Sequence, residues 1–252
     1  MSITANNYNI KGITFDLWNT IFQNRFYLDE RVNFLQKFLE VRGYDLSFKT
    51  LKEAYNNSMF LSLAQLNSHH KRFNHIYIER RIDNLLQEIN LKLDDSVIKK
   101  IKDGFELILL DDIPPLKKGA KEVLEIVSSN YKIGLISDTG ITPGRILKKA
   151  LDKHNILKFF DVLTFSDEIG KFKPHQKPFK VTLELLKIEP EKAIHVGDLL
   201  ATDIKGANKY NMKSIWISEN NQKSVETVKP DYIIRELNEI PSILKKINKT
   251  KI

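Results

Sequence analysis

Four polar positions in this sequence each follow an apolar run that is typical of a buried β-strand. In chain order they are Asp16, Ser137, the region Lys171–Lys173, and Asp198 with Asp203. A carboxylate such as Asp16 can attack phosphorus or carbon, or it can bind a hard cation. Two carboxylates from different strands can hold Mg²⁺, while a hydroxyl and an ammonium group bind the remaining oxygens of a phosphate. These residue types are therefore complementary for Mg²⁺-dependent chemistry on a phosphate ester.

An alternation of strand and helix patterns would bring these positions to one edge of a sheet. The first strand ends at Asp16. The later predicted strands are Tyr131–Ile136, Val162–Phe165, Lys192–Val196, Lys213–Ile217 and Tyr232–Ile234. Repeated β-α units predict an α/β fold with a doubly wound parallel (Rossmann-like) sheet and helices on both faces. Ligands bind beyond the carboxyl ends of such strands, which is where the four polar positions lie.

Residues 24–112 have helical periodicity and almost no strand signal. Apolar residues recur at helical spacing in four stretches, beginning near Val32, Leu51, Ile78 and Val97. Pro114 and Pro115 end this segment, since neither can continue a helix. We predict a core domain formed by residues 1–23 and 113–252, with an α-helical cap domain, residues 24–112, inserted after the first strand.

Composition narrows the classes of function. The chain has 252 residues, no cysteine and a formal net charge of +8. The absence of cysteine excludes disulfides and thiolate chemistry. The excess lysines are spread through predicted helices, which indicates solvated faces and not a nucleic-acid interface. The N-terminus has no signal-peptide pattern and no segment resembles a membrane span. We expect a cytoplasmic protein with no nucleic-acid or membrane partner; the sequence does not indicate an oligomeric state.

The motifs resemble a known family. Ile13–Thr20, Leu135–Ser137, Gly170–Pro174 and His195–Asp203 are similar to the four ordered motifs of the haloacid dehalogenase-like (HAD) hydrolase superfamily. The similarity runs from about Ile10 to Ile217 and includes the place of the helical cap, which the family calls type C1. It implies a hydrolase that cleaves a small phosphate monoester, a phosphorylated metabolite, through an aspartyl-phosphate intermediate with Mg²⁺ as cofactor.

The resemblance also implies catalytic and substrate-binding roles. Asp16 matches the nucleophile, and Thr20 matches the hydroxyl residue that ends the first motif. Ser137 matches the phosphate-binding hydroxyl, and Lys173 matches the lysine that neutralises nucleophile and phosphate. The neighbouring Asn19, Trp18 and Asp138 complete the predicted substrate-binding set.

The metal site implied by the resemblance has four contributors. Asp16 and Asp198 match carboxylate ligands of Mg²⁺, and the backbone carbonyl of Trp18 corresponds to the remaining protein ligand. Asp203 matches the second acidic position, which supports the waters of the metal.

The sequence departs from the family pattern at Trp18. Phosphatases of this family usually carry a second Asp there, which acts as general acid and general base. Trp has no titratable group, and general acid–base catalysis is worth about 10²–10⁴-fold in rate. Members that act on carbon–halogen bonds have an aromatic residue at this position and need no metal, but they generally lack the acidic arrangement of Asp198 and Asp203. Two alternatives therefore remain: a metal-independent 2-haloacid dehalogenase-like enzyme, and a weakly active protein that binds phosphorylated metabolites or a partner.

Several of these residues also have simpler interpretations. Ser137 and Thr20 could be turn or cap residues, and Asp203 could cap a helix. Lys171 competes with Lys173 for the ammonium role, although the Lys-Pro order favours Lys173. A basic cluster in the predicted cap is interpreted as a solvated loop, with a metal site or a phosphate contact as the alternatives. Its members are His69, His70, Lys71, Arg72 and His75.

Overall fold

The computed structural model describes residues 9–64, 73–218 and 228–249 of the chain. These residues form two compact units. The α/β unit comprises the N-terminal segment to Asn24, the stretch Pro115–Asp138, and the chain from Leu151 onward. The helical unit comprises Arg25–Pro114 and Thr139–Ala150.

Six parallel strands form one sheet in the α/β unit. The strands are β1 (Gly12–Phe15), β2 (Lys132–Ser137), β3 (Val162–Phe165), β4 (Ala193–Gly197), β5 (Lys213–Ile217) and β6 (Tyr232–Ile234). Their order is β3-β2-β1-β4-β5-β6, so the chain winds outward in one direction from β1 to β3 and in the other from β4 to β6. This order confirms the predicted doubly wound α/β sheet. The point where the winding reverses, between β1 and β4, is where open parallel sheets bind ligands.

Helices flank the sheet along the chain. They are α5 (Ala120–Ser128), α7 (Ser166–Ile169), α8 (Gln176–Leu186), α9 (Lys205–Lys209) and α10 (Ile240–Lys249), while α6 (Gly144–Lys153) follows β2. Helix α8 packs on β2 and β3, and α10 packs on α5. The central strand is fully buried along its length, because apolar Ile13 and Phe15 meet side chains from these layers. The described part of the chain contains no helix with the length and apolar character of a membrane span.

The first segment of the helical unit contains the four helices that the periodicity predicts, and most of α6 lies in its second segment. The four helices are α1 (Leu28–Glu40), α2 (Phe48–Ala64), α3 (Ile78–Glu88) and α4 (Asp95–Leu107). Their buried apolar faces share one core, which also takes in Ile141 from the second segment of the unit. The compact unit therefore includes residues 139–150, which the sequence interpretation placed with the α/β part. The assignment of residues 24–112 as a cap domain stays a prediction.

Candidate active site

Strand β1 fixes the position of Asp16. The Asp16 N–H donates to the Val196 carbonyl at 2.9 Å, so the backbone is still paired with β4 at this residue. Buried Phe15 and Leu17 anchor the chain on either side of the carboxylate, which is itself 5% exposed. Asn19 then adopts a φ of +56°, a left-handed conformation that asparagine tolerates better than most residues, and the chain turns. The Asp16 carboxylate consequently lies just beyond the strand end, as predicted.

Lys173 joins two of the carboxylates. Its Nζ lies 2.5 Å from Asp16 Oδ1 and 2.6 Å from Asp203 Oδ1, and it also donates to the Ile136 carbonyl at 2.9 Å. Its backbone N–H donates to Asp138 Oδ1 at 3.0 Å, which fixes the loop that carries it. The side chain is 2% exposed, so the ammonium group is held almost out of water between two acids. The structure brings Lys173, and not Lys171, into contact with Asp16.

Burial and charge act in opposite directions on these groups. Burial would lower the pKa of Lys173, but Asp16 and Asp203 raise it well above its ordinary value. Burial would raise the pKa of Asp203, but the charge of Lys173 and the nearby His195 hold it well below its usual range. For Asp16, burial prevails over Lys173 and raises the pKa of the carboxyl, and Asp203 and Asp198 add to this increase. Ionised Asp16 therefore depends on positive charge close by.

Three carboxylates converge in a way that fits a divalent cation. One oxygen from each of Asp16, Asp198 and Asp203 lies within 4.8 Å of the others. The three carboxylates carry three negative charges when ionised, and the ammonium group of Lys173 neutralises one of them. Two negative charges therefore remain in a largely buried site. Hard oxygen ligands of this kind suit Mg²⁺, which binds through a small number of carboxylates and keeps several waters. The donor set therefore fits the metal that the sequence resemblance implies.

Asp203 reaches this cluster through an unusual local structure. The sequence predicts a regular helix from Asp203, but Leu200–Ile204 forms a single π-helical turn and α9 begins only at Lys205. Asp203 Oδ2 accepts a hydrogen bond from the Leu199 N–H at 3.0 Å, which turns the carboxylate back toward the sheet. A Cβ on Gly197 would lie 2.5 Å from the Cβ of Asp203, so glycine permits this close approach.

Asn19 links the carboxylate cluster to a basic rim. Its Nδ2 donates to Asp198 Oδ2 at 3.0 Å, and its Oδ1 accepts from Lys117 Nζ at 3.4 Å. Asn19, Lys117 and Arg235 all line a cavity of about 490 Å³ in the α/β unit. A larger cavity of about 790 Å³ lies at the opposite ends of the strands, against Lys132 and Asp161, so cavity size alone does not locate the chemistry. The smaller cavity adjoins the acidic cluster and carries the positive charge that an anion requires.

Among the described residues, the other predicted site residues form no hydrogen bond with the Asp16 side chain. Ser137 is 1% exposed, and its Oγ is 3.5 Å from the Asp138 carbonyl. Thr20 is fully buried, and its Oγ1 has no hydrogen-bond partner among the described residues. Burial raises the pKa of Asp138 to about 6. Trp18 is half-buried, and its ring meets that of Phe22 edge-on with centroids 6.1 Å apart.

His195 lies beside the acidic cluster although the sequence analysis gave it no role. Its Nδ1 is 2.8 Å from Thr14 Oγ1 and its Nε2 is 3.5 Å from Asp203 Oδ1. The ring is fully buried, edge-on to Phe179, and burial lowers its pKa. Thr14 and His195 are paired residues on neighbouring strands β1 and β4. A histidine inside an otherwise apolar strand was the sequence signal that could have identified this contact.

The basic cluster proposed for the cap is only partly described. His69, His70, Lys71 and Arg72 lie outside the described residues. His75 is 8% exposed, and its ring lies edge-on to that of Tyr77 with centroids 4.8 Å apart. His75 is therefore a packed residue and not part of a solvated loop.

Known proteins share this sequence pattern and fold. The chain is 30% identical over 246 residues to the glyceraldehyde 3-phosphate phosphatase of Pyrococcus furiosus, with 95% of each chain covered. It is 27% identical over 241 residues to the glyceraldehyde 3-phosphate phosphatase of Methanocaldococcus jannaschii, covering 95% of this chain and 99% of the relative.

Two solved structures show the same fold. One is a 2-haloacid dehalogenase from Pseudomonas syringae, with a TM-score of 0.72, 22% identity and coverage of 94% of this chain and 99% of the other. The second is the HAD-hydrolase YfnB from Bacillus subtilis bound to magnesium, with a TM-score of 0.62, 19% identity and the same coverage. A family model described as haloacid dehalogenase-like hydrolase matches residues 13–217. This match spans most of the chain, and the protein belongs to the haloacid dehalogenase-like hydrolases.

Proposed function

We propose that this hydrolase is a Mg²⁺-dependent phosphatase that cleaves a small phosphate monoester through a phosphorylated Asp16. The observation that carries the proposal is the cluster in which Lys173 contacts both Asp16 and Asp203, with an oxygen of Asp198 in metal-binding range. Two relatives over nearly the full chain are named glyceraldehyde 3-phosphate phosphatases, which supports a small phosphorylated metabolite as the substrate.

In the first step, an Asp16 carboxylate oxygen attacks the phosphorus in line with the ester oxygen. The new bond joins Asp16 to phosphorus, the ester P–O bond breaks, and its electron pair leaves with the alcohol oxygen. Lys173 favours the ionised form of Asp16 and offsets charge on the phosphoryl oxygens, and the Ser137 hydroxyl binds one of these oxygens. Positioning and electrostatic stabilisation of this kind dominate phosphoryl transfer.

In the second step, a water molecule attacks the phosphorus of the acyl phosphate. The bond between phosphorus and the Asp16 oxygen breaks, which returns the carboxylate and releases inorganic phosphate. Asp16, Asp198 and the Trp18 carbonyl would hold the metal, with Asp203 supporting its waters. When bound, Mg²⁺ supplies charge neutralisation and orientation for the phosphoryl group.

The side chain of Trp18 should limit the rate at which esters with poor leaving groups are hydrolysed. This side chain cannot protonate a leaving alkoxide or accept a proton from the attacking water. Esters whose leaving groups are stable as anions do not need the leaving oxygen to be protonated. We therefore propose that turnover depends steeply on the acidity of the leaving alcohol.

The test is phosphate release from a panel of small phosphate esters, in Mg²⁺ and in chelator, for the parent protein and for Asp16→Asn. We expect metal-dependent release that falls by at least about 10³-fold in Asp16→Asn, because the nucleophile is lost. Lys171→Met is the matched control for Lys173→Met: only the second should lose activity. Release that survives Asp16→Asn would contradict the proposal.

Trp18 also favours a second candidate function. A halide leaves without protonation, so a carboxylate nucleophile beside an aromatic residue could displace halide from a 2-haloacid without any metal. Halide release that persists in chelator would identify this activity. Binding of Mg²⁺ and phosphate with neither phosphate nor halide release would instead identify a non-catalytic binding protein.

A further inference from the structure

Two arginines of the helical unit are buried or partly buried without an acidic partner. Arg31 on α1 is 7% exposed, and Arg81 on α3 is half-buried. Neither guanidinium group contacts a carboxylate anywhere in the described residues, whereas the half-buried Arg25 pairs with both Glu30 and Asp112. Arginine cannot relieve the cost of burial by losing its proton.

Within the described part of the chain, Arg31 contacts neutral groups. Its Nε donates to the Phe105 carbonyl at 3.2 Å, and its Nη2 donates to Thr142 Oγ1 at 3.0 Å. Its guanidinium carbon lies 5.5 Å from the centroid of the Tyr27 ring. These contacts fix the plane of the group and leave its positive charge unbalanced.

Arg81 has still weaker acceptors. Its Nη1 donates to the thioether sulfur of Met59 at 3.0 Å, and its Nε is 3.5 Å from the Ile76 carbonyl. A thioether is a weak acceptor, and a distance of 3.5 Å is long for a hydrogen bond. Burial lowers the pKa of Arg81; the charge of Arg31 lowers it further, and Tyr55 acts against both.

Tyr55 lies near the contacts of both arginines. Its ring centroid is 6.1 Å from that of Phe105, whose carbonyl accepts from Arg31. On α2, Tyr55 lies one turn before Met59, whose sulfur accepts from Arg81. The Tyr55 side chain is 4% exposed, and burial raises the pKa of its hydroxyl while Arg31 and Arg81 both act to lower it.

The buried acid of this unit, Glu106, is already paired with Arg145. Removing charged groups from water without a counter-charge is unfavourable, so two such cations in one small helical unit indicate a partner that carries negative charge.

We propose that Arg31, Arg81 and the Tyr55 hydroxyl form a binding site for an oxyanion, a carboxylate or phosphate group, within the helical unit. Three elements, α1, α2 and α3, each supply one donor. Guanidinium groups bind such anions through paired, charge-assisted hydrogen bonds. The anion is a small carboxylate- or phosphate-bearing ligand that is separate from the reacting ester. The binding itself does not rest on the proposed function.

The direct test is a titration with sodium sulfate, at ionic strength held constant with chloride, followed by NMR of the arginine Nε–Hε signals. We expect the Arg31 and Arg81 signals, assigned by their loss in Arg31→Lys and Arg81→Lys, to move together and saturate at one dissociation constant. The signal of exposed Arg42 serves as an internal reference. Absence of a saturable change at both arginines would overturn the proposal.

Variants separate binding from packing. Arg81→Met should abolish the response of the Arg31 signal to sulfate, whereas Arg80→Met, on the exposed side of the same helix, should leave it intact. In sulfate-free buffer, Arg81→Met should unfold at the same or a higher temperature than the parent, because an unbalanced charge is removed. A lower unfolding temperature together with an intact response to sulfate would show that Arg81 is structural and would contradict the site.

Discussion

The motif resemblance places Trp18 where the phosphatases of this family usually have their second aspartate. We predict that Trp18→Asp raises kcat/KM for an alkyl phosphate by at least about 10-fold, because a proton donor for the leaving alkoxide is restored. The gain in kcat/KM for p-nitrophenyl phosphate should be much smaller, since its leaving group is stable as an anion. Steady-state kinetics of the parent and of Trp18→Asp, with a series of phosphate esters that differ in the acidity of the leaving alcohol, test this prediction.

Trp18→Phe is the matched control for this substitution, because it changes the ring and adds no titratable group. It should keep the steep dependence on leaving-group acidity that we expect for the parent. An equal gain in Trp18→Phe and Trp18→Asp would mean that the indole obstructs the site sterically, and the acid–base explanation would then be wrong.

At the scale of single residues, sequence spacing predicted the acidic cluster well. Asp16, Asp198 and Asp203 follow strands whose carboxyl ends must meet in a parallel sheet, so their convergence follows from topology. The positions of Arg31 and His195 could not be predicted in this way. Their partners belong to other helices and strands, and side-chain packing between elements leaves no periodic trace in the sequence.

At the scale of elements, two aspartates join neighbouring strands at their amino ends. Asp161, just before β3, accepts from the Ile133 N–H at 2.8 Å and from Lys132 Nζ at 2.7 Å. Asp231, just before β6, accepts from the Ser214 N–H at 2.9 Å and from Lys213 Nζ at 2.6 Å. The repeated arrangement indicates that such an aspartate sets strand register at both edges of the sheet.

We predict that Asp161→Ala lowers the free energy of unfolding of the α/β unit by about 1–2 kcal/mol, because the Ile133 amide loses a protein acceptor. Burial would raise the pKa of Asp161, but hydrogen bonds from Lys132 and the Ile133 N–H outweigh it and lower the pKa. The stabilisation is therefore fully present above the unfolded-state pKa of about 4 and is lost as pH falls through the lower folded-state value. Urea unfolding of the parent and of Asp161→Ala at several pH values measures this stabilisation.

Asp152→Ala, an exposed aspartate on α6, is the control for removal of a surface charge. Its effect on stability should stay within about 0.5 kcal/mol at every pH. A penalty for Asp161→Ala that persists unchanged at pH 2 would show that the ionised carboxylate is not the stabilising form.

Regular elements were the most predictable part of the fold. The strand Val162–Phe165 and the four helices of the helical unit follow from apolar periodicity, which a core imposes directly. The π-helical turn Leu200–Ile204 could not be predicted, because it results from the contact of Asp203 with the Leu199 amide and from the space beside Gly197.

At the scale of the whole molecule, a cation in the acidic cluster should link ligand binding to stability. We predict that Mg²⁺ at 100 times its dissociation constant stabilises the folded protein by about 2.7 kcal/mol. For a chain of this length that corresponds to about 5–10 °C in unfolding temperature. Calorimetry with Mg²⁺ and then with excess chelator measures the difference.

Asp198→Asn is the matched variant, since it keeps an acceptor for the Asn19 amide and removes one charge from the cluster. It should lose most of the Mg²⁺ effect while unfolding normally in chelator. Equal stabilisation of parent and variant by Mg²⁺ would place the metal elsewhere in the molecule.

The central position of β1 has a consequence for the order in which the protein can fold during synthesis. Gly12 pairs with Lys132 on one side and with Ala193 on the other, so both partners of the first strand are made more than 100 residues later. At about 5–20 residues per second, a ribosome needs roughly 6–24 s to reach Lys132. Throughout that interval the nascent chain carries an apolar strand with no partner, and chaperone binding to the N-terminal segment would shield it until β2 emerges.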